Sequence, residues 1–542
     1  MNFKKNESAQ KLRGGYYTPL DLAAFLAKWV QQIRPHDILE PSCGDGVFFE
    51  AMSRVGDFSK ATIVSFEIDK EEATKAAERV SSANFSNLAI RHSDFLEWGL
   101  EGILEKRQLF DAVLGNPPFV RYQYLPKAFQ HFSGSIFDTL QVKFTKHTNA
   151  WVPFVLASVA LLRPGGRLAM VIPSEIVHVT HAQGLRTFLG KYCKKILLID
   201  PQEIWFDGTL QGTVLLLAEK KKDDSVLSEG VAIYPVKNKE FLDDFSSDIF
   251  ESAKAINGKT ITGKWTRALV DKNTIALFDS LSEHENVFLF NDIARVDVGI
   301  VTGANKFFLV TDDVVQKYSL NQWAYPMFGR SEHCPGIIYD QKQHQKNKEK
   351  ANATNFIWFK PTDKLNSGAQ KYIKYGESQD LTSRYKCKVR SPWYSVPSVY
   401  STEIGMLKRS HYCPRLIYND IRAYTTDTSY RITTDKVSAK KLVGCFINPL
   451  TMLSAELEGR HYGGGVLELI PSEIERLAIP LPSSVAIDIV NLDSDIRNKP
   501  IEEVLQKQGD VVLSPLGVTT RDKERLLDTW LQLCQRRQRS IE

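Results

Sequence analysis

The chain has 542 residues, 43% of them hydrophobic and 25% charged, with a formal net charge of +5 and a pI near 8.6. That length suits two or three domains, and the mild positive charge admits a polyanionic partner without demanding one. The absence of any uninterrupted apolar stretch of about 18 residues argues against a membrane span, an N-terminus without an apolar core argues against a signal peptide, and seven scattered cysteines without a CxxC pair argue against a disulfide framework or a zinc site.

Thr18, Pro19 and Asp21 read as an N-cap, a proline in the first turn and an acid at the third position, opening a helix. Its apolar stripe is Leu22, Phe25, Leu26, Trp29, Val30 and Ile33, at helical spacing. Short apolar runs then predict buried strands at 37–40, 62–68, 88–91, 111–114, 167–172, 195–199 and 213–218. Helical patterns at 70–80 and 151–162 lie between some of them, the βαβ rhythm of a doubly wound parallel sheet. The KKKDD run at 220–224 reads as an exposed turn or linker. Beyond it the pattern turns irregular. The expected organisation is an α/β Rossmann-like domain over 1–244 and a mixed α+β domain over 245–542 with a helical segment at 521–537. The polar stretch 340–350, DQKQHQKNKEK, is expected to be a flexible loop.

In such sheets ligands bind beyond the carboxyl ends of the strands. Glu40, Glu67, Asp94 and Asn116 fall at those ends, 27, 27 and 22 residues apart, about one strand–helix–strand unit each. The first strand runs into Glu40-Pro41-Ser42-Cys43-Gly44-Asp45-Gly46. Its glycines permit a sharp turn and close approach to a ligand, and its acids suit a ligand bearing an ammonium rather than a pyrophosphate. S-adenosylmethionine fits that description. Glu67, beside Ile68, is placed to accept from ribose hydroxyls, while Asp94 and Phe95 offer an acceptor for an adenine amino group and an apolar face.

The fourth strand ends in Gly115-Asn116-Pro117-Pro118-Phe119. Two prolines stiffen this loop and remove two N–H donors, which leaves it rich in acceptors. The Asn116 side-chain oxygen and the Pro117 carbonyl can accept both hydrogens of an exocyclic amine and localise its lone pair. That is positioning and electrostatic work without a strong base. Phe119 can stack on a base swung out of a duplex.

Taken together, these residues resemble the amino-methyltransferases, specifically the adenine-N6 DNA methyltransferases of Type II restriction-modification systems. Tyr17-Thr18-Pro19 matches that family's N-terminal cofactor motif, and Glu40–Gly46, Glu67, Asp94-Phe95 and Asn116–Phe119 match its later motifs, in order. Phe119 stands where tyrosine is frequent. The LRPGG turn at 162–166 resembles a later core turn, and Phe206, with Trp205 as the alternative, stands where the family has an aromatic against the flipped base. In the second domain, Val298–Phe308 and His461–Leu469 resemble the recognition region. Lys306, Lys386, Lys388, Arg390, Arg415 and Arg422, with Trp393 and Tyr394, are candidates for its DNA face. The resemblance implies S-adenosylmethionine as cofactor, no metal, duplex DNA as partner, and a separately encoded restriction endonuclease. It also implies a bacterial or archaeal cytoplasm, at the nucleoid through DNA binding, and no membrane. Alternative readings are N4-cytosine, RNA or protein-glutamine methylation, a fused nuclease, and a non-catalytic DNA-binding protein on the same scaffold.

Overall fold

The first apolar stripe folds as helix α1, Leu20–Gln31, which buries Leu22, Phe25, Leu26, Trp29 and Val30. The computed structural model describes residues 17–80, 85–145, 148–203, 205, 212–243, 248–257, 261, 263–360, 362–462 and 464–538. They divide into two units, one ending at Leu269 and the other Val270–Gln538.

In the first unit, α1 is followed by β1 (Asp37–Glu40), α2 (Val47–Val55), β2 (Thr62–Glu67), α3 (Lys70–Val80), β3 (Asn87–His92), α4 (Phe95–Leu104), β4 (Phe110–Gly115), α5 (Lys127–Thr139) and α6 (Trp151–Leu161). Then come β5 (Leu162–Pro173), α7 (Gln183–Tyr192), β6 (Cys193–Pro201), β7 (Thr213–Lys220) and β8 (Gly230–Val236). The strands make one eight-stranded sheet in the order β3-β2-β1-β4-β5-β7-β6-β8. Apolar residues of the sheet point to both faces: one layer packs on α1 and α2, the other on α4, α6 and α7. The core strands are therefore near-continuous apolar runs, as in sheets covered on both sides.

Within this otherwise parallel sheet one strand is reversed. β7 runs antiparallel to both β5 and β6, because the β6–β7 connection is short for the crossover that a parallel neighbour requires. In the KKKDD run, residues 222–224 are exposed as expected, and the correction concerns only its first residue. Lys220 is buried, donating to the carbonyls of Ala160 at 3.2 Å and Leu162 at 2.6 Å, and burial lowers its pKa to about 8. The first unit continues well past that run. β8 pairs with β6, Phe250 packs on Trp29 with ring centroids 4.9 Å apart, Ile256 bridges Val231, and Trp265 is fully buried.

The second unit opens with α8 (Lys272–Ser282) and is built on a sheet of β10 (Arg295–Val298), β18 (Ser429–Thr433), β15 (Ile404–Leu407), β17 (Leu416–Asn419) and β13 (Ile338–Tyr339). A smaller sheet joins β11 (Leu309–Val310), β14 (Asn355–Ile357) and β12 (Ala324–Pro326), another joins β16 (Arg409–Ser410), β20 (Val466–Glu468) and β19 (Arg460–Tyr462), and β9 (Val287–Leu289) pairs with β21 (Ala478–Pro480). Its last helix runs Thr520–Gln538, covering the helical segment expected at the C-terminal end. The stretch expected to be a flexible loop is instead helix α9, Gln341–Glu349. Asp340 caps it by accepting from the Gln343 N–H at 2.7 Å, and Gln343, His344 and Asn347 form its buried face. A polar face carries no apolar stripe, so periodicity does not reveal this helix.

Candidate active site

β1 and β4 lie side by side at the centre of the sheet, and the chain leaves them in opposite directions, β1 toward β2 and β3, β4 toward β5. The crevice at such a switch point is where an open α/β sheet binds ligands. Two loops bound it, residues 41–46 after β1 and 116–119 after β4.

The first loop turns on Gly44 (φ +53°) and Gly46 (φ +83°), in the left-handed region that favours glycine. A Cβ at Gly46 would lie 2.9 Å from Ala76 Cα on α3, whereas one at Gly44 would meet open space. Arg79 on α3 binds the Asp45 carboxylate at 2.9 Å. The Cys43 N–H donates to the Phe66 carbonyl at 3.0 Å, and burial pushes the thiol's pKa far up, which makes it inert at neutral pH. Pro41 packs against Gly115, so the two loops start close together.

Glu40 is fully buried, and among the described residues neither carboxylate oxygen meets a hydrogen-bond partner. Burial, with the nearby carboxylates of Asp45 and Glu67, holds its pKa well above the usual range. A buried carboxylate in that condition suits a cationic ligand group. Glu67 differs: its oxygens accept from the N–H groups of Gly44 at 2.9 Å and Asp69 at 2.8 Å. It thereby ties the ends of β1 and β2 together. Ile68, next to it, is 65% exposed. Tyr17 reaches the start of α3, its hydroxyl donating to the Glu72 carboxylate at 3.1 Å.

After β3, Asp94 accepts from the Leu96 N–H at 2.8 Å and so caps α4. Phe95 turns inward: it is 2% exposed and packs against Phe66 and Phe154, with centroids 5.6 and 5.3 Å away. The structure therefore places Phe95 in the core, and Ile68 is the exposed apolar residue at this edge.

The second loop is held from two sides. Ser42 Oγ donates to the Asn116 carbonyl at 3.0 Å, and Asn116 Nδ2 donates to Thr18 Oγ1, also at 3.0 Å. Thr18 is thus not the expected N-cap. Pro19 occupies that position with no side-chain cap bond, and the Thr18 hydroxyl serves to orient Asn116. Pro117 is buried, and the partly exposed Phe119 packs against both core layers. Phe206 lies outside the described residues; Trp205 is a core residue at 3% exposure.

Sequence reasoning missed the segment immediately after this loop. The Val120 carbonyl accepts from Ala150 N at 2.7 Å and the Tyr122 N–H donates to Thr148 at 3.0 Å, forming a short ribbon. Glu175, just beyond β5, accepts from Trp151 Nε1 at 3.2 Å and Asn149 Nδ2 at 3.4 Å. Burial acts to raise its pKa, but the His181 ring, 3.8 Å away, and the bond from Trp151 hold it below the usual range. The rule that singled out the ends of the first four strands would have found Glu175 had it been applied to β5.

In the second unit the candidate cations divide. Lys306, Lys386 and Lys388 are exposed. Arg390 is not available: it donates to the carbonyls of Thr302 and Val301, both at 2.7 Å. Arg415 donates to the carbonyls of Pro335 and Gly336, and Arg422 pairs with Glu403 at 3.5 Å. Trp393 and Tyr394 pack against Phe307 and Phe359, inside an aromatic core. Trp393, Tyr394, Arg390 and Arg415 are thus tied into the fold, whereas Arg422 stays exposed beside a half-exposed glutamate. In the glycine-rich segment after His461, Arg537 donates to the Gly465 carbonyl and to the buried Glu456, which fixes the β19–β20 turn.

Residues 49–205 match the family described as "Eco57I restriction-modification methylase", and residues 262–513 match "Type II methyltransferase M.Eco57I, C-terminal domain". The chain is 22% identical to Type II methyltransferase M.AccI of Acinetobacter calcoaceticus, over 94% of this chain and 93% of that one. It is 21% identical to Type II methyltransferase M.XamI of Xanthomonas campestris pv. amaranthicola, over 86% and 85%. Among solved structures, DrdV in its DNA complex superposes with a TM-score of 0.51 at 12% identity, over 94% of this chain and 58% of that one. That likeness concerns the fold.

Proposed function

The chain belongs to the Eco57I-type restriction-modification methyltransferases, and within that family we propose that it transfers a methyl group from S-adenosylmethionine to N6 of an adenine flipped out of duplex DNA. The observation that carries this reading is the Asn116 amide, oriented by Thr18 while Ser42 holds its backbone, at the switch point of the sheet.

The cofactor, when bound, supplies an electrophilic methyl on a sulfonium. The buried Glu40 carboxylate fits its ammonium group, Glu67 its ribose, and Ile68 with Asp94 its adenine; Gly44 and Gly46 keep the loop clear of side chains. The chain's own catalytic work is done at 116–119. Asn116 Oδ1 and the Pro117 carbonyl accept the two hydrogens of the exocyclic amine, which draws the nitrogen toward sp³ and aims its lone pair. Phe119, backed by both core layers, is a firm surface against which a flipped base can stack. Transfer would form the carbon–nitrogen bond as the carbon–sulfur bond breaks, and the methylated nitrogen would release its surplus proton to water while Asn116 Oδ1 and the Pro117 carbonyl hold it by hydrogen bonds. Pro118 keeps the loop rigid. The second unit is proposed to select the site, and methylation to protect it from a separately encoded endonuclease in a bacterial or archaeal cytoplasm.

The test is transfer of labelled methyl to unmethylated duplex DNA, RNA and protein offered in parallel. Duplex DNA is expected to be the acceptor, with Asn116→Ala slower by about 10²–10³-fold, the usual cost of one preorganised polar contact. Preferential labelling of RNA or protein would overturn the reading.

A further inference from the structure

The stretch Arg384-Tyr385-Lys386-Cys387-Lys388-Val389-Arg390 in the second unit contains four basic residues and no acid. Its central part is one short helix, Tyr385–Lys388. Tyr385 is 76% exposed and Val389 68% exposed, four positions apart and so on one side of the turn. Arg384, Lys386 and Lys388 are exposed around them and, among the described residues, form no ion pair. The Lys386 ammonium stands 5.7 Å from the Tyr385 ring.

What distinguishes this knob from ordinary surface is how firmly its base is held. Cys387 is fully buried in the aromatic core. Arg390 gives its guanidinium to two backbone carbonyls of the neighbouring loop. Gly303 in that loop (φ +81°) sits so close that a Cβ there would lie 2.7 Å from Lys386 Cβ. Val301, whose carbonyl Arg390 holds, is itself 38% exposed, and Lys306 comes after it on the same loop. A rigid mount thus presents a tyrosine and two valines to solvent, ringed by cations. Isolated surface aromatics need no explanation, but this arrangement has the two components of a nucleic-acid contact: charge for phosphates and an aromatic ring for bases.

We propose that this knob docks on duplex DNA, with Tyr385, backed by Val389, wedged against a base step while Arg384, Lys386 and Lys388 engage the flanking phosphates. The inference rests on the proposed action on DNA and adds an apolar contact that a purely electrostatic surface lacks. Wedging side chains partly unstack a step and bend the duplex, in exchange for wider contact.

The test uses the full chain and an unmethylated mixed-sequence duplex, with affinity measured across a range of salt concentrations. Lys386→Gln with Lys388→Gln is expected to lower the slope of log K against log salt by about two, one per phosphate contact. Tyr385→Ala is expected to weaken binding about ten-fold while leaving the slope unchanged, and Tyr385→Phe to bind as the parent does. All these side chains are exposed, so thermal unfolding serves as a control for folding. A Tyr385→Ala protein that binds like the parent overturns the wedge even if the lysine variant responds. If the parent binds no duplex, the proposed function falls together with the knob.

Discussion

Thr18 and Glu40 mark the difference between holding a catalytic group and holding a ligand. Thr18 Oγ1 accepts from the Asn116 amide at 3.0 Å, so Thr18→Val removes an orienting contact without emptying the crevice. We expect kcat to fall roughly ten-fold, the scale of one hydrogen bond, with KM for the cofactor unchanged and activity kept in Thr18→Ser. A higher KM at constant kcat would show instead that Thr18 touches the cofactor. For Glu40 the informative variable is pH. Burial first, and the Asp45 and Glu67 charges second, raise its pKa in the folded protein. Ionisation therefore costs the ligand-free protein stability as pH rises through that raised value, and a bound ammonium relieves the cost. The increase in Tm caused by the cofactor should grow as pH rises above the ordinary carboxylate range, and be smaller and flat in Glu40→Gln. A pH-independent increase in the parent would count against the assignment.

Helix α9 illustrates what packing does beyond local pattern. His344 Nδ1 lies 2.9 Å from the Tyr339 hydroxyl, and the preceding His333 accepts from the Gly329 N–H at 3.3 Å. Both rings are buried and neutral, and burial lowers both pKa values to about 4, from 6.5 when unfolded. The unfolded chain takes up these protons first, so this contribution to stability is present above pH 6.5 and is lost as pH falls toward 4. Unfolding of the second unit, followed by calorimetry, should show a Tm that drops across that interval, with a shallower drop in His344→Gln. Equal slopes would mean that the ring is not buried neutral. In the first unit the helix and strand periods, and the acids at the strand ends, were legible because burial there is apolar and regular. In α9 the buried face is Gln343 and Asn347, bonded to each other and to the His333 carbonyl, with His344 on the Tyr339 hydroxyl, so no hydrophobic period existed to be read. The same limit explains Arg390 and Arg415: sequence shows a cation, and only the folded chain shows whether a carbonyl already occupies it. Asn116 was legible as a site residue, but its tether to Thr18 was not, since the two are 98 residues apart.

At the scale of the whole chain, a methylase unit is followed by a unit matching the M.Eco57I C-terminal domain, on a background charge of only +5. Modest overall charge makes local arrangement decide where a polyanion can bind, which is why clamped arginines and exposed lysines must be told apart. The proposal that joins the units functionally is methylation of adenine N6. Its most direct test is to incubate the protein with labelled S-adenosylmethionine and unmethylated duplex DNA, digest the product to nucleosides and identify the labelled one. The account predicts N6-methyladenine, formed by the parent and lost with Asn116→Ala. Label recovered in N4-methylcytosine, or product undiminished in the Asn116→Ala protein, would contradict it.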